Sequence, residues 1–397
     1  MNVRDSEVIS GLLKKEGWMF ADEPDKADVV IFNTCSVRQR AEDKVWSEIG
    51  RVSKQGKTGT VKEEKSLRDS PQKAGTVPII GVVGCMAQNY QEKIFERAPN
   101  VDFVVGPSDI DKIPGIVDSL TKKWGQPPKN GDSPRFLFER KIWETDGSAR
   151  PEEIYHTGFH QDKEHAYVVI SEGCSNFCSY CVVPHVRGQL RNRNYQEILK
   201  EIEEAVDKGI SKITLLGQNV NAYHSPATSA LSAVTFIKLL ESVNNIKKLE
   251  EFSFITSHPK NTSLGLFEAM ANLGKLKKYL HLPVQAGSDR ILELMNRGYT
   301  RKFYLDLIRK YRTIVRGGIL TTDIIVGFPT ESEEDFGDTR DLVKAVEFDA
   351  AYIFKYSPRP RTRAAQLEDR VAKEEKEKRH KIILDLQRGI SRKKKKL

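Results

Sequence analysis

The stretch Ala166-Tyr167-Val168-Val169-Ile170-Ser171-Glu172-Gly173-Cys174-Ser175-Asn176-Phe177-Cys178-Ser179-Tyr180-Cys181 decides the fold and points to the chemistry. It opens with an apolar run of the kind shown by a strand buried on both faces. Three cysteines in C-x3-C-x2-C spacing follow at once in a single short loop. A [4Fe-4S] cube has four irons, so three thiolates from one loop leave one iron open to a small-molecule ligand. Zinc is the rival reading, but a structural zinc site wants four closed ligands, commonly as two separated pairs. No fourth cysteine lies near the loop, and His185 is the residue at hand to complete a tetrahedron. Packing alone accounts poorly for the pattern, because the 397-residue chain has only five cysteines and three of them crowd here. Such a cluster in a reducing compartment is more often a metal or redox site.

Downstream, apolar runs recur at 212–216, 251–255, 278–282, 320–326 and 351–354, separated by longer stretches of helical periodicity. One such stretch starts at Asn194, a capping residue type with Glu197 three positions later, and stops near Gly209; another spans 331–347. Strand and helix alternating about six times predict an α/β fold, a closed or partly closed barrel of parallel strands with right-handed crossovers. Its reactive groups belong at the strands' C-terminal ends. The cysteine loop obeys that rule, as do Gly217-Gln218-Asn219, Thr256-Ser257-His258 and Pro283-Val284-Gln285, with Asp323 inside the fifth strand. All are expected to face one mouth. Gly217 and Gly287 are read as serving backbone geometry, through positive φ or close approach. Arg187 and Arg193 are weighed as phosphate contacts against the commoner reading of surface arginines.

The first part of the chain predicts a separate open parallel sheet. Strands are expected at 28–32, 77–83 and 101–105, with Cys35 shortly after the first and Cys85 at the end of the second. Cysteines at the C-terminal ends of neighbouring parallel strands face one crevice, where open α/β sheets bind ligands. The polar stretch 53–76 reads as an insertion and 126–150, rich in proline and glycine, as an interdomain segment. The expected organisation is therefore an N-terminal α/β domain over 1–125, a connecting segment over 126–160, a partial (β/α)6 barrel over 161–380 and a basic tail over 381–397.

Composition bounds the rest. A chain of this length exceeds one ordinary core. It has 39% hydrophobic and 30% charged residues, no apolar run long enough to span a bilayer and no signal-peptide core at its start, so a cytoplasmic location with no membrane partner is expected. The formal charge of +9 makes a polyanionic partner plausible, although much of the excess sits in 388–397, which reads as a solvated, disordered tail.

Taken together the motifs resemble the radical S-adenosylmethionine (SAM) methylthiotransferases, most closely the branch acting on isopentenylated adenosine in tRNA. The residues that carry the resemblance run from Met1-Asn2 and Asp5-Ser6-Glu7 through Asn33-Thr34-Cys35-Ser36-Val37-Arg38, Gly84-Cys85-Met86-Ala87, Glu172-Gly173-Cys174 to Cys181-Val182-Val183-Pro184, and Arg187-Gly188. They continue through Leu215-Leu216-Gly217-Gln218-Asn219-Val220-Asn221-Ala222-Tyr223, Thr256-Ser257-His258-Pro259, His281-Leu282-Pro283-Val284-Gln285-Ala286-Gly287-Ser288, Asp323-Ile324-Ile325-Val326-Gly327-Phe328-Pro329 and Tyr356-Ser357-Pro358-Arg359-Pro360.

The resemblance implies two [4Fe-4S] clusters and SAM as cofactors. Cys174, Cys178 and Cys181 would carry the cluster whose open iron binds SAM and cleaves it to methionine and a 5′-deoxyadenosyl radical. That radical would abstract hydrogen from C2 of the modified adenine. Cys35 and Cys85 would serve a second, sulfur-supplying cluster, and a second SAM would give the methyl group. Gly217, Gln218, Asn219, Ser257, Gln285 and Asp323 are the implied SAM contacts, with His258 touching SAM or the nucleoside. The implied partners are tRNA and a flavodoxin-like electron donor, and a monomer is expected. The family pattern begins with a strand and a Gly-Cys-x-Met-Asn run that would supply the third ligand of the N-terminal cluster, and relatives continue into an RNA-binding β-domain. A start at an internal methionine and a tail lacking that domain are therefore expected, with a second cluster short of one ligand. The alternatives are action on threonylcarbamoyladenosine in tRNA or on a ribosomal-protein aspartate, and, in another class, a non-catalytic iron-sulfur or RNA-binding remnant.

Overall fold

The computed structural model describes residues 1–36, 39–55, 78–124, 141–147, 149–225 and 233–394. Most of the polar insertion expected at 53–76 lies outside them. The chain divides into two compact units, Asn2–Phe159 and His160–Leu397. Among the described residues no helix is long and apolar enough to cross a membrane.

The first unit is an open parallel sheet in the order β1-β2-β3-β4, made of β1 (Val29–Thr34), β2 (Ile79–Gly84), β3 (Phe103–Val105) and β4 (Ile142–Glu144). Helices α1 (Asn2–Lys15), α2 (Gln39–Gln55), α3 (Cys85–Tyr90), α4 (Lys93–Arg97) and α5 (Ile113–Trp124) accompany it. Strands β2 and β3 are buried throughout, whereas β1, at the sheet edge, is half-buried from Val29 to Asn33. Their apolar runs follow from this placement, since a central parallel strand has no solvent face. Gly81 is required by packing: a Cβ there would lie 2.1 Å from the Phe103 ring that crosses it.

The reading of 126–160 as a connecting segment is corrected in its described part. Ile142–Glu144 pairs with β3 as the fourth strand. Further on, the buried Arg4 guanidinium donates to the carbonyls of Tyr155 at 2.7 Å and Phe159 at 3.0 Å, and Arg150 meets Asp5 at 2.8 Å. Buried ions persist only when paired in this way, so 150–159 is fastened to α1.

Among the described residues, the second unit is a partial barrel of six parallel strands: β5 (His165–Val169), β6 (Lys212–Leu216), β7 (Glu251–Phe254), β8 (Tyr279–His281), β9 (Ile319–Val326) and β10 (Ala350–Lys355). They form two ladders, β7-β6-β5 and β8-β9-β10, with one parallel bridge between Phe252 and Leu276 at the junction. A short α6 (Val183–Arg187) leads to α7 (Tyr195–Asp207), followed by α8 (Phe236–Asn244), α9 (Leu264–Asn272), α10 (Asp289–Leu294), α11 (Arg301–Ile314), α12 (Glu333–Val346) and α13 (Lys373–Lys394). The Asn194 side chain caps α7 by accepting from the Gln196 and Glu197 backbone, as its position predicts. Helix α12 is capped by a reciprocal Ser332–Asp335 box, one residue inside the expected start.

Phe252, Phe254, Phe267, Tyr304, Tyr311 and Phe348 are all sealed within the barrel core. Each such side chain contributes roughly 1.5–3 kcal/mol on burial, so the core, more than the short ladders, holds the strands in place. The solvated, disordered tail expected from 388 is corrected up to Lys394. Helix α13 runs through it, Gln387 Nε2 donates to Phe348 O at 2.8 Å, and Ile383 and Ile390 are buried.

Candidate functional site at the barrel mouth and a thiol pair in the first unit

The cysteine loop leaves β5 as predicted, and its shape is imposed from several sides. Cys174 N–H donates to Gly188 O at 3.1 Å and Cys181 N–H to Cys178 O at 3.0 Å. A Cβ on Gly173, at φ +71°, would lie 2.1 Å from Gln189 O, so only glycine admits the loop here. The turn after α10 grips the loop's middle: Ser179 donates to Met295 O through its N–H at 2.9 Å and to Leu294 O through Oγ at 2.7 Å. Asn296 Nδ2 donates to Phe177 O at 2.9 Å, and Arg297 donates to Cys178 Sγ at 3.3 Å. Sequence reasoning missed Asn296 and Arg297, whose contacts with the loop span more than a hundred residues and carry no local motif.

Burial pushes the Cys174 thiol up, and burial together with the neighbouring Cys178 pushes Cys181 up to about 12. Without metal Cys174 and Cys181 are therefore protonated, and loading a metal releases those protons. Among the described residues no three His, Cys, Asp or Glu side chains stand at single-ion separations. A cubane asks for a wider spread, because each thiolate takes its own iron. Cys174, Cys178 and Cys181 supply three thiols from one backbone-braced loop, as that demand requires. His185, the residue on which the zinc reading depended, is exposed on α6.

The other strand ends converge as expected. Val220 N–H donates to Thr256 O at 3.0 Å, Ser257 N–H to His281 O at 3.4 Å, and Gln285 N–H to Asp323 O at 2.9 Å, linking the ends of β6, β7, β8 and β9. Four non-glycine residues here adopt left-handed backbone, Phe177 at φ +48°, Asn296 at +56°, Thr256 at +74° and Gln285 at +73°. Each costs on the order of 1–3 kcal/mol and persists only where the surroundings dictate it, a pattern concentrated at functional sites. Gly217 and Gly287 serve by close approach rather than positive φ: a Cβ would lie 2.5 Å from Ser171 Oγ in the first case and from Asp338 O in the second.

The mouth also holds buried polar atoms with no protein partner, namely Ser171 Oγ, Gln218 Oε1, Asn219 Oδ1, Ser257 Oγ and His258 Nε2. Buried polar groups are normally satisfied, so this ring of unmet donors and acceptors fits a polar ligand bearing amino, carboxylate and hydroxyl groups. Asp323 is held by His281, Nε2 to Oδ2 at 3.4 Å, and His281 Nδ1 lies 2.9 Å from Thr321 Oγ1. Arg187 and Arg193 do not meet the requirements of phosphate contacts. Both are buried, and Arg193 binds Glu201 at 2.5 Å and Val169 O at 2.6 Å.

His258 accepts from Lys260 N–H through Nδ1 at 3.2 Å, which leaves the proton on Nε2. Burial first, then the Arg297 and Lys260 cations, lower its pKa to about 2. The unfolded chain therefore binds a proton that the folded chain refuses, and the stability this residue contributes is present above pH 6.5 and lost as pH falls toward 2. Between pH 7 and pH 5 the protein should lose about 2 kcal/mol that His258→Asn does not lose. Urea titrations of both proteins at the two pH values check this, and parallel losses would contradict it.

In the first unit, Thr34 pairs with Gly84 across β1 and β2, so Cys35 and Cys85 each stand one residue beyond adjacent strand ends. Thr34 Oγ1 ties the two ends together, donating to Val83 O at 2.6 Å and accepting from Met86 N–H at 3.2 Å. A Cβ on Gly84, at φ +90°, would lie 2.7 Å from Thr34 O. Asn33 Nδ2 donates to Asn2 O and Ser6 Oγ, both at 2.8 Å, bringing the start of α1 to the same crevice. Ser36 Oγ donates to Glu42 Oε1 at 2.6 Å, while Val37 and Arg38 lie outside the described residues.

A partial parallel barrel with a three-cysteine loop after its first strand defines a radical SAM protein, and residues 168–343 match the radical SAM superfamily. Residues 1–106 match the uncharacterized protein family UPF0004. The chain is 39% identical over 396 residues to the tRNA-2-methylthio-N(6)-dimethylallyladenosine synthase of Carboxydothermus hydrogenoformans, covering 98% of this chain and 82% of that protein. It is 40% identical over 398 residues to the enzyme of the same name from Clostridium botulinum, covering 100% and 81%. The chain thus belongs to the radical SAM methylthiotransferases, in the tRNA-2-methylthio-N(6)-dimethylallyladenosine synthase family. Among solved structures it shares the fold of the radical S-adenosylmethionine methyltransferase TsrM from Kitasatospora setae, with TM-score 0.57 and 14% identity over 91% of this chain and 73% of that one. Membership makes the chain an enzyme that uses [4Fe-4S] clusters and SAM.

Proposed function

We propose that this enzyme inserts sulfur and a methyl group at C2 of N6-isopentenyladenosine beside the anticodon of tRNA. The observation that carries the reading is the presence in one chain of two thiol sites at strand ends, Cys174, Cys178 and Cys181 at the barrel mouth and Cys35 with Cys85 in the first unit. When bound, the barrel cluster supplies the electron that splits SAM into methionine and a 5′-deoxyadenosyl radical. The protein's share is placement. Cys174, Cys178 and Cys181 hold the cluster, Gln218, Asn219 and Ser257 offer their unmet polar atoms to SAM, and Gln285 and Asp323 close the pocket from β8 and β9, with Gly217 allowing close approach. His258, kept neutral, offers an Nε2 proton without bringing a second charge beside Arg297. Cys35 and Cys85 hold the sulfur-supplying cluster.

The enzyme acts as a monomer in the cytoplasm and takes its electron from a flavodoxin-like donor. The net charge of +9 supports attraction to the tRNA backbone, which weakens steeply with salt. The test is nucleoside analysis of tRNA from a strain lacking the gene. Loss of 2-methylthio-N6-isopentenyladenosine, with N6-isopentenyladenosine accumulating, is expected; an unchanged profile would sink the assignment.

A further inference from the structure

Arg297 is 4% exposed, and its guanidinium bonds to a carbonyl, two phenols and a cysteine sulfur, with no carboxylate among them. It donates to Pro283 O at 2.7 Å, Tyr299 OH at 3.0 Å, Tyr180 OH at 3.4 Å and Cys178 Sγ at 3.3 Å. Among the described residues no carboxylate lies within ion-pair distance of it. A buried, unpaired charge costs several kcal/mol, and arginine does not escape by losing its proton. A metal-bound thiolate at Cys178, 3.3 Å from the guanidinium, would balance that charge. The position is also held rigidly, because Leu294 O, Met295 O and Asn296 Nδ2, immediately before Arg297, clamp the loop that carries Cys178.

We infer that Arg297 is the counter-charge built for the cluster on Cys178 and that it sets how readily this site accepts an electron. Reduction adds one electron, supplied in the assay by dithionite, and so one more negative charge beside the guanidinium. A fixed cation at that distance favours the reduced state. Arg297 is thus a positioning and tuning residue, acting through Cys178. The inference rests on the assignment of the three cysteines to the cluster, which iron content in Cys178→Ala tests separately.

The experiment is an anaerobic redox titration of the reconstituted full chain, followed by electron paramagnetic resonance, on wild type, Arg297→Gln and Arg297→Lys, with iron per chain measured alongside. The clamp uses backbone carbonyls and Asn296, so Arg297→Gln should keep its cluster. Its reduced-to-oxidised ratio at fixed potential should fall at least tenfold, equivalent to a midpoint about 59 mV more negative for one electron. Arg297→Lys should recover most of that difference. Where the glutamine variant loads no cluster, loading of the lysine variant with a near wild-type midpoint supports the same conclusion. Equal midpoints in wild type and Arg297→Gln, a lysine variant matching the glutamine one, or loss of cluster or fold from both would overturn it.

Discussion

Replacing Cys178 with alanine is expected to lower 5′-deoxyadenosine formation from SAM by more than about a hundredfold, since even a partner of a metal ligand is commonly worth about 10–100-fold. The second unit contains no other cysteine, and His185 is exposed on α6. The substitution also leaves Arg297 buried beside a methyl group. Iron per chain and 5′-deoxyadenosine yield, measured after anaerobic reconstitution, check the result. Continued SAM cleavage at the wild-type rate would contradict the assignment of this loop.

Replacing Cys85 with serine should separate the two halves of the reaction. Cys85 opens α3 directly after β2 and is buried, while Cys35, one residue beyond the end of the adjacent β1, is half-exposed. If this pair holds the sulfur-supplying cluster, 5′-deoxyadenosine formation should stay within about twofold of wild type. Methylthiolated nucleoside should fall by at least about a hundredfold, by the same ligand argument. Chromatography of both products from a single reaction decides the matter. Equal loss of both would mean that Cys85 serves the fold of the unit, while retention of both would mean that its sulfur is not used.

The fold was legible wherever a strand is buried on both faces. The runs at 166–170 and 212–216 are continuous enough to be read as β5 and β6, and their C-terminal ends then located the cysteine loop and Gly217-Gln218-Asn219 without further help. Strand β4 escaped because three residues are too few to show a period, and they sit in a proline- and glycine-rich stretch. The end of α13 escaped because its lysines mask the few apolar anchors, Ile383 and Ile390, that pin it to the barrel. For Arg193 the type was right for phosphate, but its carboxylate partner, Glu201, sits on the following helix and becomes visible only once both are folded.

The sequence by itself determined the order of strands and helices, the three thiols in one loop, and the placement of Cys35 and Cys85 after two strands, because these depend on local periodicity and spacing. Only the tertiary structure decided what surrounds those thiols. It made Thr34 and Gly84 register partners, set unmet polar atoms from several strand ends around one mouth, and brought Arg297 to within 3.3 Å of the Cys178 sulfur. Those relations join residues far apart along the chain, and the burial that gives them their energy exists only after each unit has folded.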